Sequence, residues 1–192
     1  GVVDHYLFVG NPGTGKTTVA RIMGNIFYSL GVLPSNRLLE VTRKDLVEGY
    51  VGQTATKTAR VVKRAVGGVF FIDEAYSLMG DNFGQEATNT ILPMLLDYKG
   101  KMVCIAAGYP REIRQWIDTN SGLESRFTKV IHFEDYNPDE LAQIFRMKAK
   151  KDKLTLTPEA ENAMRVYFTD LYNRRERNFA NAREVNNYFD RV

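Results

Sequence analysis

Short apolar runs alternate along the chain with longer stretches whose apolar residues recur every three or four positions. "YLFV" at 6–9, "LLEV" at 38–41, "VFFI" at 69–72, "MVCIAA" at 102–107 and "VIHF" at 130–133 read as strands, with "YLFV" and "VFFI" read as buried. Between the first two, Val19, Ile22, Met23, Ile26, Phe27 and Leu30 repeat at helical spacing, and Gly31 ends the run. Ala55, Ala59, Val62 and Val66 mark another helix, stopped by Gly67 and Gly68. A third is expected within Gln85–Leu96. Pro93 lies inside it, lacks a backbone donor and is expected to kink it. This alternation predicts an α/β fold, a five-stranded parallel sheet flanked by helices.

After Phe133 the pattern changes and no further strand is legible. Asn137-Pro138-Asp139-Glu140 has a cap, a proline at the first helical position and acids in the first turn. Thr157-Pro158-Glu159 repeats that arrangement. Asn181-Ala182-Arg183-Glu184 reads as a third helix start, with Glu184 placed to return a capping bond. The expected organisation is an α/β domain over 1–136 and a small all-helical domain over 137–192, the latter truncated.

Composition narrows this picture only slightly. The 192 residues suit one large domain or one with a small appendage. No apolar run approaches the roughly 20 residues needed to span a bilayer. No signal peptide is in view, and because the chain opens directly on a strand-like stretch it reads as an excised fragment. The single cysteine, Cys104, excludes an internal disulfide and fits a reducing, cytoplasmic setting. A net charge of +3 does not call for nucleic acid. The basic run Arg146–Lys153 reads as a solvated helix face, and His5 and His132 have no second ligand at metal spacing.

The chemistry sits at two places. Gly10-Asn11-Pro12-Gly13-Thr14-Gly15-Lys16-Thr17 matches the P-loop pattern, between a strand and a helix as that pattern requires. Glycines let successive backbone N–H groups converge on phosphate oxygens, and the helix dipole adds positive charge there. Nucleotide-binding candidates are therefore Gly10 through Thr18. Lys16 reaches for the outer phosphates, and the Thr17 hydroxyl is a Mg²⁺ ligand. The second place is "VFFIDEA", whose Asp73 and Glu74 emerge at the C-terminal end of a buried strand, the edge where open α/β sheets bind ligands. Asp73 is the second candidate for holding Mg²⁺. Glu74 is placed to polarise a water for attack on the γ-phosphate of ATP.

"LVEGYVGQT" at 46–54 raises a different question, because Tyr50 sits in a loop with glycines on both sides, at Gly49 and Gly52. Either the ring folds back onto the core or a flexible loop holds it out to grip something.

The chain resembles an AAA+ ATPase of the CbxX/CfqX family, the branch of red-type Rubisco activases, the stage V sporulation protein K group and type VII secretion ATPases. The words that carry the resemblance are "GNPGTGKTTVAR", "VTRKDLVEGYVGQTATKT", "GGVFFIDEAYSL", "FGQEA", "AAGYP", "GLESRF" and "FANAREV", in order over nearly the whole chain. "GYVGQTATKT" and "FGQEA" are the most specific to this branch. The resemblance implies an AAA+ module with a helical lid, ATP and Mg²⁺, and a homo-oligomeric, hexameric ring. It puts an arginine finger on Arg126 and a second sensor on Arg183. Arg183 is expected in the first turn of a helix, where a cation opposes the dipole. Arg126 is expected in a glycine-containing loop before a strand. The polar first sensor of many such proteins has no counterpart here, where the chain reads Ala107-Gly108-Tyr109.

For Tyr50 the resemblance favours the second reading: Tyr50-Val51-Gly52 matches an aromatic–hydrophobic–glycine pore loop that grips a polypeptide. The implied function is ATP-driven remodelling of a protein client of unknown identity. Two alternatives stay open, an ATP-binding assembly scaffold with little turnover and a nucleic-acid-directed motor. The near-neutral charge and the aromatic loop argue against the motor.

Overall fold

The computed structural model describes residues 4–50, 52–177 and 179–192. Its strands are β1 (Tyr6–Gly10), β2 (Leu38–Val41), β3 (Val69–Ile72), β4 (Val103–Gly108) and β5 (Lys129–Phe133). They form one five-stranded sheet in the order β2-β3-β4-β1-β5. β1 pairs with β4, β2 with β3, and β3 with β4, all parallel. β3 and β4 lie inside the sheet and are buried along their whole length, which explains their uninterrupted apolar runs.

The helices before β5 are α1 (Lys16–Ser29), α2 (Arg43–Leu46), α3 (Gln53–Ala65), α4 (Asn82–Asp97), α5 (Pro110–Asp118) and α6 (Ser121–Arg126). After it come α7 (Pro138–Lys151), α8 (Pro158–Asn173) and α9 (Ala182–Arg191). No helix among the described residues is long and apolar enough to cross a membrane.

The chain forms two compact units. One holds the residues up to Val9 and Lys16–His132; the other holds Gly10–Gly15 and Phe133–Val192. The core of the first joins Phe70, Ile72, Cys104 and Ala106 of the sheet to Val62 and Ile91 of the helices. Cys104 is wholly buried, and that burial pushes its thiol well above the usual range, leaving a small, inert apolar group. The core of the second joins Leu141, Phe145, Met164, Phe168, Phe179 and Val185. There Tyr167 of α8 stacks on Tyr188 of α9 with centroids 4.1 Å apart.

Three details depart from the sequence expectation. α1 exists, but its contact with the sheet is narrower than its apolar repeat: it buries Ala20 and Gly24, and leaves Ile22, Ile26 and Leu30 exposed. A Cβ on Gly24 would lie 3.2 Å from Val69 Cγ2, so the missing side chain sets how closely α1 approaches β3. α4 begins earlier than its apolar pattern, because Asp81 caps it by accepting from Gly84 N at 2.7 Å, and it runs through Pro93 to Asp97. The segment before Arg126, expected as a loop, is helix α6, capped by Asn120 through Gly122 N at 2.8 Å.

Candidate functional site

The glycine-rich segment leaving β1 adopts a conformation that only glycine tolerates easily. Gly13 has φ +69° and Gly15 φ +90°. A Cβ on Gly13 would lie 2.3 Å from the carbonyl oxygen of Ala180, and one on Gly15 would lie 3.1 Å from the Tyr136 hydroxyl. Thr14 closes the turn by donating its hydroxyl to Asn11 O at 2.8 Å.

Within the same compact unit, Asn181 and Asp135 hold this segment. Asn181 Nδ2 donates to Pro12 O at 3.2 Å, to Phe179 O at 3.0 Å and to Asp135 Oδ1 at 2.9 Å. Asn181 Oδ1 accepts from Tyr136 N at 2.6 Å. Asn11 Nδ2 donates to Asp135 Oδ1 at 2.8 Å, and Arg175 pairs with Asp135 Oδ2 at 3.3 Å. Ala182 N donates to Gly13 O at 3.1 Å. Asn181 is fully buried at φ +50° and makes no side-chain cap. The cap read from its sequence is therefore corrected. α9 does start there, but the amide is drawn into a buried network worth more to it than a terminal N–H.

Arg183 is the second residue of α9 and is exposed; its N–H donates to Ala180 O at 3.0 Å. Lys16 opens α1, followed by Thr17 and Thr18.

At the C-terminal end of β3, Asp73 N donates to Val41 O at 2.8 Å, one step beyond the last paired strand residue. Asp73 Oδ1 accepts from Glu74 N at 3.0 Å. Glu74 is exposed and left-handed, with φ 51° and ψ 46°. A side chain in that region costs on the order of 1–2 kcal/mol, a cost that recurs at working residues. Glu74 O then accepts from Ser77 N to start a 3₁₀ turn over Ala75–Leu78. The donors fit the expected groups. Paired left-handed glycines make an anion-binding concavity, and a threonine hydroxyl with an aspartate supplies the hard oxygens Mg²⁺ prefers.

Arg126 ends α6. Its Nη1 donates to Ser125 Oγ at 3.0 Å, and its Nε is buried without a hydrogen-bond partner among the described residues. Tyr50 lies between α2 and α3 and is 72% exposed. A Cβ on Gly49 or Gly52 would meet nothing within 4 Å, and Gly52 has φ +82°. The ring is not folded onto the core. Val51 lies outside the described residues.

Three comparisons with known proteins complete the geometry. The profile of the "ATPase family associated with various cellular activities (AAA)" matches residues 6–135, and that of an "AAA lid domain" matches 137–192. The chain belongs to the AAA family of ATPases. Its relatives include the chloroplastic ribulose bisphosphate carboxylase/oxygenase activase of Cyanidioschyzon merolae, 44% identical over 98% of this chain and 65% of that protein. Protein CbbX of Cereibacter sphaeroides is 44% identical over 98% of this chain and 62% of its own length. ESX-1 secretion system protein EccA1 of Mycobacterium tuberculosis is 46% identical over 81% of this chain and 28% of its own. The chain thus spans between about a quarter and two thirds of these proteins. These relatives fit the CbxX/CfqX branch. The AAA fold with its helical lid is shared by Thermotoga maritima RuvB, at TM-score 0.71 and 18% identity over 99% of this chain and 55% of RuvB.

Sequence reasoning about this AAA chain missed the role of Asp135 and read Asn181 only as a helix cap. Neither belongs to a periodic pattern. The only available signal was Asn181 lying two residues before Arg183 in "FANAREV".

Proposed function

We propose that the protein is the ATP-hydrolysing core of a ring-forming remodeller that draws a polypeptide client past Tyr50. The observation that carries this reading is Tyr50 itself, a large aromatic held 72% exposed on a loop whose glycines meet no neighbour. A tyrosine offers broad apolar contact with one polar tip, suited to gripping chains of varied sequence. Exposing it has no benefit to the fold.

In this reading the backbone of Gly10–Gly15 and the Lys16 ammonium bind the ATP phosphates, with Thr18 continuing that segment. Thr17 and Asp73 hold Mg²⁺, which when bound neutralises phosphate charge. Glu74 orients and deprotonates the attacking water. Arg126 acts in trans in a neighbouring subunit of a hexamer, and Arg183 senses nucleotide from the start of α9. Residues 1–136 and 137–192 serve as nucleotide-binding and lid domains. Tyr50, Val51 and Gly52 form the client-gripping loop. The relatives named as an activase and a secretion-system protein support a protein client, since each name implies work on other proteins.

The test is ATP turnover per subunit across protein concentration, with Glu74→Gln as control and Tyr50→Ala as the coupling variant. The reading predicts specific activity that climbs with concentration, a dead Glu74→Gln, and a Tyr50→Ala that hydrolyses ATP but fails to unfold a tagged test substrate. Turnover independent of concentration would remove the ring. Unfolding unaffected by Tyr50→Ala would remove the grip.

A further inference from the structure

The 3₁₀ turn over Ala75–Leu78 folds Tyr76 back over the edge of the sheet. A Cβ on Gly108, the last residue of β4, would lie 2.9 Å from Tyr76 Cδ1. The ring therefore rests on the end of β4, against a backbone that must lack a side chain to admit it. Gly108 pairs with Val9 of β1, and β4 pairs on its other side with β3, all three parallel. Tyr76 thus stands at the C-terminal edge of three parallel strands, where open α/β sheets bind ligands. β4 ends Ala106-Ala107-Gly108 and gives that edge no polar side chain of its own.

Packing accounts for the ring but not for the hydroxyl. The ring is half-buried against the core of its unit and tilts at 31° to the Tyr109 ring, with centroids 6.0 Å apart. A phenylalanine would fill the same space. Among the described residues neither the Tyr76 hydroxyl nor the Glu74 carboxylate has a hydrogen-bond partner. Yet the two are near neighbours. Burial first, and then the charges of Glu74, Tyr109, Glu112 and Asp73, push the Tyr76 hydroxyl up to about 12. It keeps its proton and offers one O–H and two lone pairs.

We propose that Tyr76 and Glu74 hold the attacking water between them. The Glu74 carboxylate accepts one of its O–H bonds and the Tyr76 hydroxyl oxygen accepts the other, which aims the free lone pair at the γ-phosphorus. The inference rests on the role of Glu74 proposed above. In the step, the water oxygen bonds phosphorus as the bond to the β-phosphate oxygen breaks, and that electron pair leaves on ADP. The water's proton goes to Glu74, and Tyr76 keeps its own. A group that orients only the water acts on the transition state and not on ATP binding.

Tyr76→Phe tests this, because it keeps the ring on Gly108 and removes only the hydroxyl. The expected result is a kcat about tenfold lower, one hydrogen bond's worth, with KM for ATP and the denaturant midpoint unchanged. Binding gives a readout without turnover. ADP with aluminium fluoride imitates the in-line transition state and its water, whereas ADP with beryllium fluoride imitates bound ATP. Tyr76→Phe should lose about tenfold in affinity for the first and nothing for the second. Tyr109→Phe, the neighbouring ring, should match wild type in both. Equal losses for the two complexes, or a raised KM with a lowered midpoint, would leave Tyr76 as packing alone and overturn the inference. So would the same loss in Tyr109→Phe. If Glu74→Gln is dead while Tyr76→Phe matches wild type, only this inference falls. If Glu74→Gln turns over as wild type does, the role of Glu74 falls and this inference with it.

Discussion

Glu86 of α4 accepts a hydrogen bond from the backbone N–H of Ala55, 3.2 Å away, in the first turn of α3. The two words of sequence most specific to this branch, "FGQEA" and "GYVGQTATKT", therefore meet in space. The helix that follows the Tyr50 loop has Gly52 at its N-cap and no side-chain cap of its own. A carboxylate from a different helix does that work, aided by the helix dipole. Glu86→Ala should cost about 1 kcal/mol in urea unfolding, and Glu86→Gln less, because the amide oxygen still accepts. Hydrogen exchange should quicken at residues 53–56 and not in the middle of α4. Uniform exchange changes would mean that Glu86 does not anchor the loop.

Glu74 sets activity against stability. Its left-handed backbone suits glycine, so Glu74→Gly should raise stability by roughly 1 kcal/mol. The same change removes the proposed base and should lower turnover at least about 100-fold. Glu74→Gln should lose the turnover without the gain in stability. Denaturant midpoints and phosphate release on the three proteins check this. A Glu74→Gly protein no more stable than wild type would show that the strain is relieved in solution.

His5 gives the fold an acid limit. The ring is 7% exposed, and its Nδ1 accepts from Cys104 N at 2.9 Å. Burial lowers its pKa from 6.5 to about 4, with the Asp4 carboxylate opposing and the Arg126 guanidinium adding to the shift. The unfolded chain therefore binds a proton more readily than the folded one. Stability from this residue is complete above about pH 6.5 and lost as pH falls towards about 4, to a total on the order of 3 kcal/mol. Protonating Nδ1 would also set two donors against each other. His5→Asn, which keeps an acceptor but does not titrate, should flatten the slope of unfolding free energy between those pH values. An unchanged slope would assign the acid sensitivity elsewhere.

The inner strands β3 and β4 could be read from sequence because burial on both faces writes itself as an unbroken apolar run, whereas the edge strands β2 and β5 carry apolar runs that stay largely exposed or half-buried. Helix α5 could not be read. "PREIRQWID" offers only Ile113, Trp116 and Ile117 to the core, and its charged remainder resembles a loop. Helix α1 shows the opposite error, since Ile22, Ile26 and Leu30 carry the right period yet stay exposed. The glycine-rich turn after β1 was legible because its conformation is local and glycine-dependent, with Gly13 and Gly15 at positive φ. The Asp135–Asn181 network was not, because a buried hydrogen-bond cluster joining residues 46 apart has no period to detect.

Arg126 gives the ring reading its sharpest test. Arg126→Ala alone should lower turnover by about 10³-fold or more. Mixing Arg126→Ala with Glu74→Gln subunits should restore activity above either alone, because some sites then pair an intact base with an intact arginine. Phosphate release on the mixture, after time for exchange, measures it. Activity equal to the sum of the parts would confine each arginine to its own subunit.

The glycine-rich segment proposed to cradle phosphate is fastened by residues that lie far downstream of it in the chain. Asp135, Arg175, Asn181 and the N–H of Ala182 come one after another as the polypeptide is made. On the ribosome, then, the loop emerges before its clasp and stays unfastened until residue 182 is out. A chain that has emerged only as far as residue 181 would have its sheet but an unfastened glycine-rich segment, so on the proposed reading it would hold ATP only loosely.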